Sequence, residues 1–363
     1  MAIPCSLNGP GLKMMGTRPD GAALPATGAC LKLKADFREA LAWLLIGMLA
    51  PVAAMAQPAS RPPVDPLTVT IETGDADRFA ALLEKTGGKP TAAQIQREYL
   101  TPGSYGVRLF TPNRIISAAR LAEAVAVDPE LYARAVGRCL PLIKQTTAEL
   151  RATYLAFRGL FPDKPLPRIY LVVGAGNSGG TAGPGAQVLG LEVLCRLART
   201  PEALRDIMRG FYAHETVHAL QGYDDPTSGN ILLGSVLQEG SADFIASLVN
   251  GQQMNPGRAA WGMAREAELW GQFEADLQAV EGASRDDLQR GTPAGDAFYR
   301  WIANDGDAPE GWPGEAGYWI GQRIWQRWYD AQRDKRAALR DMLMQDDPEA
   351  ILAAGRYQPA AQP

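Results

Sequence analysis

Two histidines are all that this chain of 363 residues contains, and they stand four apart, in His214-Glu215-Thr216-Val217-His218. Residues i and i+4 share a face in an α-helix, so a common task for the two imidazoles requires a helix here. The preceding Leu204, Ile207, Met208 and Phe211 recur at helical intervals. Steps of three and four from that apolar stripe reach His214, Glu215 and His218, so all three are expected to face inward. Two imidazoles one turn apart present two nitrogens to a single point, as a zinc ion requires, and Glu215 is placed to hold and deprotonate a water. With so few histidines in the chain, a chance occurrence of the pattern is remote.

No histidine remains for a third ligand, which excludes the extended three-histidine zinc motif and calls for a carboxylate. Twenty-one residues beyond His218, Leu232, Val236, Glu239 and Asp243 form one stripe of a second helical segment. Glu239 is the expected ligand. Asp243, one turn on, is the expected acceptor for the free N–H of a ligand histidine. Gly240 is expected to let the two helices approach closely.

Attack of water on an amide builds an oxyanion, which needs a donor besides the metal. Tyr318, at the opening of a helix between Gly317 and Gly321, is the first candidate, with interhelical packing as its alternative role. Arg323 is the second. It lies about 140° further round the helix, so both serve one site only if that helix runs across it. Asn177, Gly179 and Gly180 belong to a glycine-rich stretch after an apparent strand. Their bare backbone suits an extended peptide added as a strand, and a flexible hairpin turn is the plainer alternative.

The H-E-x-x-H pattern followed some twenty residues on by E-x-x-x-D is similar to the gluzincin arrangement of metallopeptidases, in which two histidines and a glutamate bind zinc. Four segments resemble more closely the predicted zinc-dependent proteases of bacterial envelopes related to gliding-motility lipoprotein B. They are Gly176-Asn177-Ser178-Gly179-Gly180-Thr181, residues 214–221, residues 239–244, and Gly317-Tyr318-Trp319-Ile320-Gly321. The resemblance spans about residues 168–332 and implies a peptidase-like zinc fold.

Lys32, Lys34 and Arg38 lead into an apolar run over 40–56 that ends Ala54-Met55-Ala56, the pattern of a secretory signal cleaved before Gln57. An uncleaved anchor is the alternative, but Gly47 and Pro51 interrupt a run shorter than the ~20 residues a spanning helix prefers. Met14 or Met15 are alternative starts, given the long polar stretch before the charged segment. Residues 57–66 hold four prolines and read as a linker. Of four cysteines, Cys139 and Cys195 would remain after cleavage, as one disulfide or two buried thiols. A net charge of -4 gives no basic footprint for nucleic acid.

Along the rest, residues 67–71 read as a short strand, 140–159 as a helix, and 168–174 and 187–194 as adjacent strands. Residues from Pro201 onward read as helical. The expected fold is α+β, mostly helical and zincin-like, with a small sheet next to the active-site helix. An N-terminal helical region (67–165) would precede a catalytic region (166–363). Seven tryptophans after the motif are expected mostly in the core. The expected function is an exported, periplasmic or secreted zinc metallopeptidase. It would hold one Zn2+ per chain, act on peptide or protein substrates, cell-envelope material included, and keep no membrane insertion after cleavage. A non-catalytic envelope binding or assembly protein with a structural zinc site is the rival.

Overall fold

In a computed structural model that describes residues 64–221 and 229–359, three helices and one sheet do most to shape the region around the histidines. The leader and residues 57–63 of the linker lie outside the described residues. Helix α1 (Pro201–Gln221) starts where its sequence says it should. The Thr200 hydroxyl accepts a hydrogen bond from the Ala203 N–H at 3.1 Å, and Pro201 opens the first turn with a φ already suited to it. Helix α2 (Ile231–Asn250) is capped by Asn230, whose Oδ1 accepts from Leu232 and Leu233, and it ends at Gly251 in the left-handed region. Helix α3 (Ala316–Ala331) carries Tyr318 in its first turn.

Small residues decide how α2 meets α3. A Cβ built on Gly240 would overlap the backbone of Gly321 and Gln322, and one on Gly321 would overlap the Val236 carbonyl. The two backbones are therefore in direct contact, and Trp325 Nε1 donates to the Leu237 carbonyl at 2.8 Å beside the crossing. The sequence expectation for Gly240 changes its partner: the close neighbour is the Tyr318 helix, not the histidine helix.

The sheet runs β1 (Arg168–Val172), β3 (Ala186–Gly190), β2 (Gly180–Gly183), with β1 parallel and β2 antiparallel to β3. β1 and β3 are buried almost throughout, as strands covered on both faces must be. Gln187 of β3 fastens the sheet to α1, its Nε2 donating to Thr216 Oγ1 at 2.7 Å and to the Tyr154 hydroxyl at 3.1 Å. That leaves β2 as an edge strand lying against α1. The fold is α+β, mostly helical, with the small sheet beside the histidine helix.

Three element expectations are corrected. Residues 66–68 form a turn, 69–71 follow without regular structure, and pairing comes only at Glu72, which bridges to Tyr170. The helix expected over 140–159 is two, Leu140–Ile143 and Thr147–Leu160, parted where Thr146 turns its hydroxyl to the Ile143 carbonyl. The strand expected over 187–194 stops at Gly190 and continues as the helix Leu191–Leu197, because an apolar run does not by itself distinguish buried strand from buried helix.

Cys139 and Cys195 form a disulfide that joins the N-terminal helices to the segment after β3. Of the seven late tryptophans, Trp270, Trp301, Trp319, Trp325 and Trp328 are buried, and Trp261 and Trp312 are partly covered, their rings tilted to one another at 5.3 Å. Among the described residues no helix is long and apolar enough to cross a membrane.

Candidate metal centre

α1 and α2 bring three acceptor atoms together. His218 Nε2 lies 3.0 Å from His214 Nε2 and 3.1 Å from Glu239 Oε2, and His214 Nε2 lies 3.3 Å from the same carboxylate oxygen. The tautomers follow from the other ring nitrogens. His214 Nδ1 stands 2.9 Å from Asp243 Oδ1 and His218 Nδ1 stands 2.7 Å from Gln221 Oε1, both acceptors, so each Nδ1 carries a proton and donates it. Each neutral Nε2 is then left with a lone pair.

Two imidazole lone pairs and a carboxylate oxygen converging at this separation repel one another unless a cation lies among them. Ligands on a tetrahedral zinc, about 2.0–2.1 Å from the ion, stand about 3.3 Å apart, close to the triangle here. The donor set and its spacing fit zinc. His214, His218 and Glu239 form a group of potential ligands on one another's doorstep, with His214 buried and the other two partly buried.

The surrounding charges favour positive charge at this point, whether carried by protons or by a cation. Burial alone would lower both histidine pKa values. The Asp243 and Glu239 hydrogen bonds and charges overcome this for His214 and hold it well above the ordinary value, and Glu239 does the same for His218. Burial would likewise raise the Glu239 carboxyl, but His218 and His214 hold it far below the usual carboxylate range. Glu215, only 5 % exposed, is raised by burial against the opposing pull of both histidines. A carboxylate pushed toward neutrality takes and returns a proton more readily than an exposed one.

Asp243 does two things. It receives the His214 proton on Oδ1 and the Arg258 guanidinium on Oδ2 at 2.9 Å. Arg258 also lies 4.8 Å from the Tyr318 ring centroid and 3.8 Å from Glu315 Oε2, whose carboxyl burial raises to about 7. The Tyr318 ring in turn stacks parallel to His214 at 5.9 Å. Burial and the nearby Glu239 push the Tyr318 hydroxyl up, so it stays protonated and able to donate.

Gly179 and Gly180 sit where side chains cannot. A Cβ on Gly179 would overlap the Phe211 ring and one on Gly180 the Glu215 carboxylate, so β2 passes directly over the general-base candidate. Asn177 is exposed and its Nδ2 donates to the Asn113 carbonyl at 3.2 Å, which ties the loop down.

Arg323 does not join the cluster. Its Nε donates to Glu266 Oε1 at 2.8 Å, and the Tyr357 hydroxyl bonds the same oxygen. α3 crosses α2 without turning that face to the histidines, so the second donor candidate is a structural ion pair.

Four neighbours escaped the sequence reading: Gln221, Arg258, Glu315 and Arg114. Gln221 carried a signal, since it lies three residues after His218 on the same helix. The other three come from segments remote in sequence and announce nothing. A scan against protein-family models finds no match to this chain, and searches of curated proteins and of solved structures find none.

Proposed function

We propose that the chain is a zinc-dependent metallohydrolase of the peptidase type, with the zincin-like arrangement its motifs resemble. The observation that carries this reading is the triangle of three lone-pair atoms at 3.0–3.3 Å with a buried, proton-competent Glu215 beside it. A purely structural zinc site has no use for such a base. His214, His218 and Glu239 would hold the ion, which when bound would supply Lewis-acid polarisation and make water acidic enough to react near neutral pH.

Every other task falls to the chain. Asp243 and Gln221 fix the imidazole tautomers, so both Nε2 atoms stay available. Glu215 takes a proton from the attacking water and delivers it to the leaving amine. The Tyr318 hydroxyl is a donor for the developing negative oxygen. β2 presents an edge beside Glu215 against which an extended peptide can pair. The Cys139–Cys195 disulfide supports an oxidising, exported setting for the protein.

The test is metal content by mass spectrometry of residues 57–363, for the wild type and for Glu239→Ala and Glu215→Gln, with a peptide-library assay alongside. About one zinc per chain in the wild type and in Glu215→Gln, strong loss in Glu239→Ala, and hydrolysis abolished by Glu215→Gln are expected. A wild type that holds no metal under zinc-replete conditions would falsify the reading. Full metal with no turnover of any library peptide would favour a binding protein.

A further inference from the structure

Arg114 is a partly buried cation for which no described residue provides a hydrogen-bonded partner. Its Nε is buried with no acceptor, and no hydrogen bond or ion pair joins its side chain to another described residue. The groups whose charge acts on it are Glu215, Tyr318 and Glu239, all members of the metal centre. It thus lies within electrostatic reach of the general base, one ligand and the hydroxyl donor while bonded to none of them.

The backbone that presents it is held with care. Arg114 lies in the π-turn Thr111–Ile115, which ends at Ile116 with φ 67° and ψ -60°. The Ser117 N–H donates to the Ile115 carbonyl at 2.8 Å across that residue, closing a three-residue turn rarely seen at a β-branched side chain. The Arg114 carbonyl accepts from the Ala175 N–H at 3.2 Å, and the Asn113 carbonyl accepts from Asn177. The loop that receives these bonds is itself anchored. The Glu192 carboxylate accepts from the Gly174 and Gly176 N–H groups, and the Tyr132 hydroxyl donates to the Gly174 carbonyl.

An unpaired, partly buried charge and a strained backbone both work against folding, and among the described residues no hydrogen bond or ion pair uses the Arg114 side chain. Such features persist where a ligand completes the interaction. A guanidinium offers a planar fork of donors, stays charged when partly desolvated, and suits an oxygen that becomes negative during reaction. We propose that Arg114 is a catalytic residue of the reaction set out above: its guanidinium receives the carbonyl oxygen of the attacked amide as that oxygen gains charge. In that step the water oxygen bonds to the carbonyl carbon while the carbonyl π pair moves onto the oxygen facing Arg114. The pair then returns, the C–N bond breaks, and the proton held by Glu215 goes to the nitrogen. This inference rests on the metallohydrolase reading and adds to it a cation from the N-terminal helical region.

Inorganic phosphate, tetrahedral and anionic, serves as the probe for a group that binds such an oxygen. Its affinity is measured by calorimetry on zinc-loaded wild type, Arg114→Met and Arg114→Gln, with zinc content and thermal midpoint recorded for each. The expected result is phosphate binding by wild type, weakened about 10- to 100-fold in both variants, the range of a lost charge-assisted hydrogen bond. Zinc content should be unchanged, and the midpoint equal or higher, because an unpaired, partly buried charge has been removed. A merely structural Arg114 would lower the midpoint and leave the affinity alone. Equal affinity in wild type and variants, or no phosphate binding by zinc-loaded wild type, overturns the proposal. Absence of zinc from wild type sinks the metallohydrolase reading itself, a result distinct from both.

Discussion

His214 and His218 each have one nitrogen committed to a neighbour and one aimed at a shared point, and that division of labour has a measurable consequence. Without an ion at that point, Asp243 and Glu239 hold the histidine pKa values above the ordinary imidazole value. Protons and zinc then compete for the same lone pairs. The sign follows: raised histidine pKa values mean that zinc must displace protons at and below neutral pH, so apparent affinity rises with pH until both imidazoles are neutral. A chelator competition run from pH 6 to 8 should show affinity rising about tenfold per pH unit for each proton displaced. A flat profile would mean that the imidazoles are already neutral before the ion arrives. At the same scale, Asp243→Asn keeps the shape but offers a weaker acceptor to His214 and strands the buried Arg258 guanidinium. Zinc affinity should drop about 10- to 100-fold in that variant, measured by the same competition.

At the scale of elements, the crossing of α2 and α3 decides whether Glu239 and Tyr318 can belong to one centre. Gly240 and Gly321 have no room for a methyl group, and the obstructing atoms are backbone, which cannot rotate away. Gly240→Ala should therefore push the helices apart and destabilise the protein by about 3 kcal/mol or more, read from the midpoint of urea unfolding. Zinc affinity should fall with it, since Glu239 is the adjacent residue. An alanine that leaves the urea midpoint in place would show the crossing to be looser than the structure has it. β2 makes the complementary point. Gly180 admits the strand to the surface of α1, where any side chain in its place would meet Glu215.

Over the whole molecule, the centre draws on parts of the chain far apart in sequence. Arg114 comes from the N-terminal helices, β2 from the sheet, the ligands from α1 and α2, and Tyr318 from α3. The Cys139–Cys195 disulfide closes a loop of 56 residues between the first of these and the segment leading to α1, with both sulfurs in buried residues. In the chain-entropy account a cross-link of that span contributes about 4 kcal/mol. Cys139→Ser combined with Cys195→Ser should lower stability by an amount of that order in urea unfolding. Zinc should still bind to the folded fraction, because neither cysteine touches the ligands.

What the sequence determined by itself was the local chemistry of two helices. The four-residue spacing of the only two histidines, the apolar stripe behind them, and the stripe through Val236, Glu239 and Asp243 are properties of helical periodicity, which needs no tertiary information. The sheet was legible as two apolar runs, but not where the second one ended, since a buried strand and a buried helix share that composition. Tertiary structure alone decided which face of α3 meets the centre. Tyr318 stacks on His214, while Arg323, five residues further along the same helix, turns to Glu266. It alone brought Arg258 to Asp243 and Arg114 into the field of Glu215. These interactions, one a hydrogen-bonded ion pair and the other through the electrostatic field alone, join residues 15 to about a hundred positions apart, and they exist only because packed helices and one pinned loop carry each side chain there.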